Sequence, residues 1–183
     1  VRNTAEANNI NIRQPEKITI VETDALAEIK PDIVIVVAYG LMLSKEFMSI
    51  PRFGCINVHP SLLPRWRGAA PIQRSIESGD KLSGITIMKM VEKLDAGDII
   101  YQEPVKIDDN DSSISLHNKF IKIGTEVLLL TLESIIENNF MMYLLLQQED
   151  NHKLPLLWNL ESPICVFLLG YYLLGVSMLY RCY

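Results

Sequence analysis

The run Ile33-Val34-Ile35-Val36-Val37-Ala38 constrains this chain more than any other feature. It is wholly apolar and mostly β-branched, so it reads as a strand rather than a helix. A strand without polar alternation needs cover on both faces, as a central strand of a parallel sheet has. Three further segments read as strands: Cys55–Val58, Gly84–Met90 and Ile99–Ile107. Pro104 interrupts the last and predicts an edge or a bend.

Helical signals lie between and around them. Val1–Asn8 reads as the end of a helix. Thr23 is placed to cap a helix over Asp24–Ile29, and Pro31 stops it. Pro71 suits the first turn of a helix over Ala70–Ser78, which Gly79 ends. Asp111 or Ser112 can cap a long helix to about Glu137, with Leu116, Phe120, Ile123, Val127 and Leu130 as its apolar face. Strands alternating with helices give an α/β class with a mainly parallel sheet.

The length of 183 residues and the 49% hydrophobic content provide for one ordinary domain and exclude a disordered chain. A net charge of −5 argues against a basic coat for non-specific nucleic-acid binding. Cys55, Cys165 and Cys182 form neither a ligand-spaced cluster nor a disulfide framework. A cytoplasmic setting and no metal are therefore expected. No basic-then-apolar signal segment follows Val1. From Leu154 onward only Glu161 and Arg181 carry charge, and Ile164–Tyr180 is almost wholly apolar. That tail is short for a spanning helix and lacks flanking Lys/Arg, so membrane attachment is not expected. The composition divides the chain at residues 1–147 and 148–183.

Chemistry concentrates in Gly54–Gln73. Asn57 and His59 lie two apart on a strand-like run that Pro60 ends, so they share a face. The polar loop Glu92–Asp98 offers carboxylates that could reach His59. Such residues suit acyl transfer. An amide donor or an imidazolium stabilises the developing oxyanion, a carboxylate orients the imidazole, and the attacking amine must lose a proton. A strand-end Asn-x-His is also a common structural hydrogen-bonding pair, and spacing alone does not decide between the two.

The run Asn57-Val58-His59-Pro60-Ser61-Leu62-Leu63-Pro64 resembles the signature of the 10-formyltetrahydrofolate-dependent formyltransferases. Arg65-Trp66-Arg67-Gly68-Ala69-Ala70-Pro71-Ile72-Gln73, Gly84–Met88 and Leu94–Asp98 resemble the branch acting on methionyl-tRNA. The similarity runs in order from about Val1 to Glu137. It implies a Rossmann-like catalytic domain that transfers a formyl group from 10-formyltetrahydrofolate to the amino group of methionyl-initiator tRNA. It implies Asn57, His59 and Asp95 as catalytic residues. Asn57 would hold the formyl oxygen, His59 would polarise it, and Asp95 would pair with His59 and manage protons through water. It further implies folate contacts from Ser61, Leu62, Leu63 and Pro64, and a pterin pocket lined by Tyr39, Gly40 and Leu41. Formyl transfer to glycinamide ribonucleotide is the alternative acceptor chemistry, and a non-catalytic remnant is the alternative class.

Other residues read more plainly. Leu62 and Leu63 serve equally as loop packing, Arg65, Arg67 and Arg74 as a solvated face, and Trp66 as packing. His117 reads as a satisfied or exposed histidine, and Cys55 as a small hydrophobe. The family pattern places opening strands and a glycine-containing loop upstream of Val1, so an incomplete sheet with an exposed apolar flank is expected. Gln147-Gln148-Glu149-Asp150 resembles the family's linker, and after about Lys153 the resemblance stops. A shifted reading frame is the reading given to the apolar tail, with a membrane anchor as its alternative.

Overall fold

The computed structural model describes residues 2–149, 165–172 and 175–182, with side chains described through residue 137. The order is α1 (Arg2–Ala7), β1 (Asn11–Arg13), α2 (Ile20–Ile29), β2 (Ile33–Val37), α3 (Lys45–Ser49), β3 (Cys55–His59), α4 (Pro71–Glu77), β4 (Leu82–Lys89), β5 (Ile99–Lys106), α5 (Ser113–Glu149), β6 (Cys165–Tyr172) and β7 (Gly175–Cys182). The strands form one sheet in the order β1-β7-β6-β2-β3-β4-β5.

The β2 run is central, as its composition demands. Its residues alternate between two cores. Ile33 and Ile35 join Ile56, Ile85, Ile87, Leu116, Phe120 and Val127 on the face covered by α4 and α5. Val34 and Val36 join Leu26, Leu43, Phe47 and Cys55 on the face covered by α2 and α3. Each fully buried aliphatic side chain contributes roughly 1.5–3 kcal/mol by leaving water, so this three-layer arrangement is the main source of stability.

The sheet is mixed rather than mainly parallel. β2 and β3 run parallel, but β3–β4 and β4–β5 are antiparallel. The connection from Met90 to Asp98 is too short for a crossover helix, so β4 and β5 can pair only as a hairpin. β5 is an edge strand, where Pro104 is tolerated.

Two helix details differ from the sequence reading. The N-cap of α2 is Thr19, not Thr23. Glu22 sits three residues after Thr19 and accepts its backbone N–H at 3.1 Å, while the Thr23 hydroxyl donates back to the Thr19 carbonyl inside the helix. On α5, Leu116, Phe120 and Val127 are buried and Ile123 packs beside them. The stripe then continues four residues on at Thr131, which is 4% exposed, and leaves Leu130 62% exposed. Ser112 caps this helix by accepting the Ser115 N–H.

The expected exposed flank of β2 is a paired edge. Ile33–Val37 run parallel to Val166–Gly170 of β6, and β6 pairs antiparallel with β7. Asp150, the last residue of the linker-like segment, and His152 lie outside the described residues. Among the described residues, no helix is long and apolar enough to cross a membrane.

Candidate active site

Asn57 and His59 project from the same face of β3 and line one cavity of about 540 Å³. The strand period explains the shared face, and Pro60 ends the strand so that the chain turns away above them. His59 is buried, with a backbone carbonyl bonded to one ring nitrogen and a carboxylate facing the other. Nε2 lies 3.0 Å from the Trp66 carbonyl oxygen. A carbonyl only accepts, so Nε2 carries a proton and Nδ1 faces Asp95, whose Oδ2 is 3.7 Å away.

Asp95 reaches this position because its loop doubles back. β4 is antiparallel to β3, with Lys89 opposite Ile56 and Thr86 opposite His59. The Met90–Asp98 connection therefore starts beside Ile56 and must return along β3 to bring Asp95 to His59. It is tied at its base, where the Lys89 N–H donates to the Asp98 carbonyl at 2.9 Å. Asp95 adopts a left-handed backbone, φ 46°, which Asp tolerates better than most residues. Its Oδ2 accepts the Gly68 N–H at 2.7 Å, and its side chain is 8% exposed.

The Asn57 amide makes no hydrogen bond among the described residues, although it lines the cavity beside His59. Tyr39, Gly40 and Leu41 line the same cavity. Burial pushes the Tyr39 phenol up to about 12, and its hydroxyl is buried without a partner. The lining is mostly apolar, including Phe120 and Ile121 of α5, with a few polar groups converging from β3 and the 92–98 loop. A mostly apolar cleft with an unpaired amide at its wall fits a small organic ligand that carries a polar group.

Ser61, Leu62, Leu63 and Pro64 do not line this cavity. They form the scaffold behind it. Thr86 of β4 is fully buried, and its hydroxyl donates to the Ser61 carbonyl while accepting the Leu63 N–H and the Gln102 amide. Gln102 also donates to the Leu63 carbonyl at 3.0 Å, and the Ser61 hydroxyl donates to the Arg65 carbonyl. The side chain of Leu62 lies against Gly84. Thr86→Val keeps the shape but strands the Ser61 carbonyl and the Leu63 N–H, while Gln102 keeps its bond to the Leu63 carbonyl. We expect it to destabilise the chain by about 2–4 kcal/mol, read as a lower urea midpoint, with Thr86→Ser close to wild type.

The structure also brings in residues that the sequence left unassigned. His117 is exposed and stands on the α5 wall of the cavity, without a hydrogen bond or ion pair among the described residues. The guanidinium groups of Arg65 and Arg74 lie over the Trp66 ring, 4.2 and 4.8 Å from its centroid. Arg65 is paired with Asp80, so it is not simply a solvated charge. Cys55 is buried as expected, and burial pushes its thiol up to about 12.

Residues 3–132 match the family described as formyl transferase. The chain is 49% identical over 137 residues to the methionyl-tRNA formyltransferase of Francisella philomiragia, covering 74% of this chain and 44% of that protein. It is 45% identical over 148 residues to the methionyl-tRNA formyltransferase of a Wolbachia strain of Drosophila simulans, covering 80% of this chain and 48% of that protein. The chain thus spans a little under half the length of these relatives. Among solved structures, it resembles the phosphoribosylglycinamide formyltransferase of Brucella melitensis, with a TM-score of 0.63, 30% identity and 73% of each chain covered. The Campylobacter jejuni enzyme of the same name gives 0.62 and 28%, again over 73% of each chain.

Proposed function

The chain belongs to the formyl transferase family, and on that premise we propose that it transfers a formyl group from 10-formyltetrahydrofolate to the amino group of methionyl-initiator tRNA. The observation that carries this reading is the unpaired Asn57 amide beside a histidine that is bonded to the Trp66 carbonyl through Nε2 and faces Asp95 with Nδ1. The assignment of the acceptor rests on the identity to methionyl-tRNA formyltransferases over most of this chain. A cytoplasmic setting goes with it.

The folate co-substrate supplies the formyl group as an activated acyl donor. Tyr39, Gly40 and Leu41 form the apolar wall against which its ring would lie, and the Ser61–Pro64 segment is braced behind the end of β3 by Thr86 and Gln102. The Asn57 amide donates to the acyl oxygen, where negative charge develops as the amine attacks. The proton shed by the attacking amine reaches His59 at Nδ1, because Nε2–H is already committed to Trp66, and it leaves again for the departing folate nitrogen. Its positive charge then lies between the acyl oxygen and the Asp95 carboxylate, which stabilises both. The acceptor amine must shed a proton and the departing folate nitrogen must gain one. Asp95 manages that transfer through water, since it lines the cavity and its contacts with Gly68 and His59 both use Oδ2.

The Brucella and Campylobacter structures favour a second reading, with glycinamide ribonucleotide as acceptor. One experiment separates the two: the purified chain is given 10-formyltetrahydrofolate with either charged initiator tRNA or glycinamide ribonucleotide. Transfer to tRNA alone is expected. Transfer to the ribonucleotide would install the second reading. A chain that melts cooperatively and is stabilised by folate but transfers to neither would be a binding remnant.

A further inference from the structure

The carbonyl that fixes His59 belongs to a residue in an unusual conformation. Trp66 has φ 62°, in the left-handed region that bulky residues rarely enter unless their surroundings hold them there. The hold comes from outside the cavity. Asp80, in the turn between α4 and β4, accepts the Trp66 indole N–H at 2.8 Å. The same carboxylate receives a two-pronged contact from Arg65, with Nε at 2.9 Å and Nη2 at 2.7 Å. Asp80 is itself anchored, since its backbone N–H donates to the Ser75 carbonyl at 3.1 Å and its side chain is 14% exposed. The Arg65 guanidinium and the indole N–H hold the Asp80 carboxyl below the usual carboxylate range. Arg65 and Arg74 both stack on the ring, and Arg74 also donates to the Arg67 carbonyl. Asp80 therefore ties the Arg65 and Trp66 side chains to the turn before β4, Arg74 ties Arg67, and the Trp66 carbonyl between them meets His59 Nε2.

We propose that Asp80 is a positioning residue for His59: by fixing the Trp66 indole and Arg65, it sets the carbonyl that selects the Nε2–H tautomer of His59. Asp80 touches neither the cavity nor the imidazole. Its effect on transfer rests on the reading that His59 acts in the reaction, whereas its effect on the tautomer does not. The second effect separates a failure of this proposal from a failure of the proposed function.

The test uses the full 183-residue chain with nitrogen-15 in its three histidines, His59 being assigned by the signal lost in His59→Ala. Long-range proton–nitrogen spectra read the tautomer directly. The wild type is expected to show His59 as the Nε2–H form. Asp80→Ala is expected to give a mixture, and Asp80→Asn, which retains an acceptor for the indole, an intermediate result. In the transfer assay, kcat should fall at least about tenfold in Asp80→Ala with KM for the folate little changed, the pattern of a misplaced rather than a missing group. An unchanged His59 spectrum in a folded Asp80→Ala chain overturns the proposal. If that variant does not fold, Trp66→Phe decides, because it removes the indole N–H and keeps a ring beside the guanidiniums. A shifted tautomer supports the clamp, and a wild-type spectrum removes it.

Discussion

Replacing His59 with alanine is expected to lower formyl transfer by about 10²–10⁴-fold, the usual worth of a positioned general acid or base. The chain should remain folded, because the imidazole is one buried side chain at the end of β3 and the two cores on either side of the sheet do not depend on it. The Trp66 carbonyl loses its partner, so a modest loss of stability, about 1–3 kcal/mol, accompanies the change. Asp95→Asn should also lower transfer. The double variant should fall by less than the product of the two single losses, since part of the carboxylate's effect passes through the imidazole 3.7 Å away and part through water. Asn57→Ala should instead lower transfer further when combined with His59→Ala, because its amide has no bond to the pair. The measurement is single-turnover transfer on chains that pass a thermal melt. Wild-type turnover in His59→Ala would remove it from the reaction, and fully multiplicative losses for His59 and Asp95 would separate their roles.

What could be read from the sequence was what depends on local period and on special backbone residues. The apolar run of β2 required two covered faces, and the structure gives Ile33 and Ile35 to one core and Val34 and Val36 to the other. The pair Asn57 and His59 required only the alternation of a strand and the stop at Pro60. Pro71 and Gly79 bracketed α4 for the same local reason.

What could not be read was direction and distant contact. The pattern of β4 is the same whether it runs parallel or antiparallel to β3, and only the length of the Met90–Asp98 connection decides. The capping signal at Thr19 and Glu22 was present but competed with Thr23, four residues on. Ser44 ahead of α3 carried a similar signal, and its side chain accepts the Phe47 N–H. β1, three residues long, has no period to detect. The scaffold behind the site was hidden for a different reason. Thr86 to Ser61, Gln102 to Leu63 and Asp80 to Trp66 span 25, 39 and 14 residues of sequence, and each is a polar contact made by a residue type common on surfaces.

The loop that carries Asp95 gives the other large expected effect. Gly97 approaches the end of β4 so closely that a Cβ there would lie 1.8 Å from the Lys89 carbonyl oxygen and 2.8 Å from its carbon. Both atoms are backbone, and Lys89 is held by pairing with Ile56 and by its N–H to the Asp98 carbonyl. No rotamer change can relieve such a contact, so in Gly97→Ala the loop must move. The loop is short, and Asp95 lies two residues from the clash, so the carboxylate moves with it. Its bond to the Gly68 N–H and its approach to His59 are then lost together. We expect transfer to fall about a hundredfold, as for a catalytic group displaced by about 1 Å, and stability to fall by about 1–3 kcal/mol through overpacking. Gly54→Ala is the contrasting variant. Gly54 has φ +75° but nothing within 4 Å of a built Cβ, so alanine meets backbone strain and no neighbour. That strain should cost roughly 1–2 kcal/mol of stability and leave transfer unchanged. The pair separates geometry from stability: two variants with similar losses in a denaturant midpoint should differ about a hundredfold in turnover. If their turnovers fall together, the loop does not set the position of Asp95, and the reaction is sensitive only to how firmly the whole chain is folded.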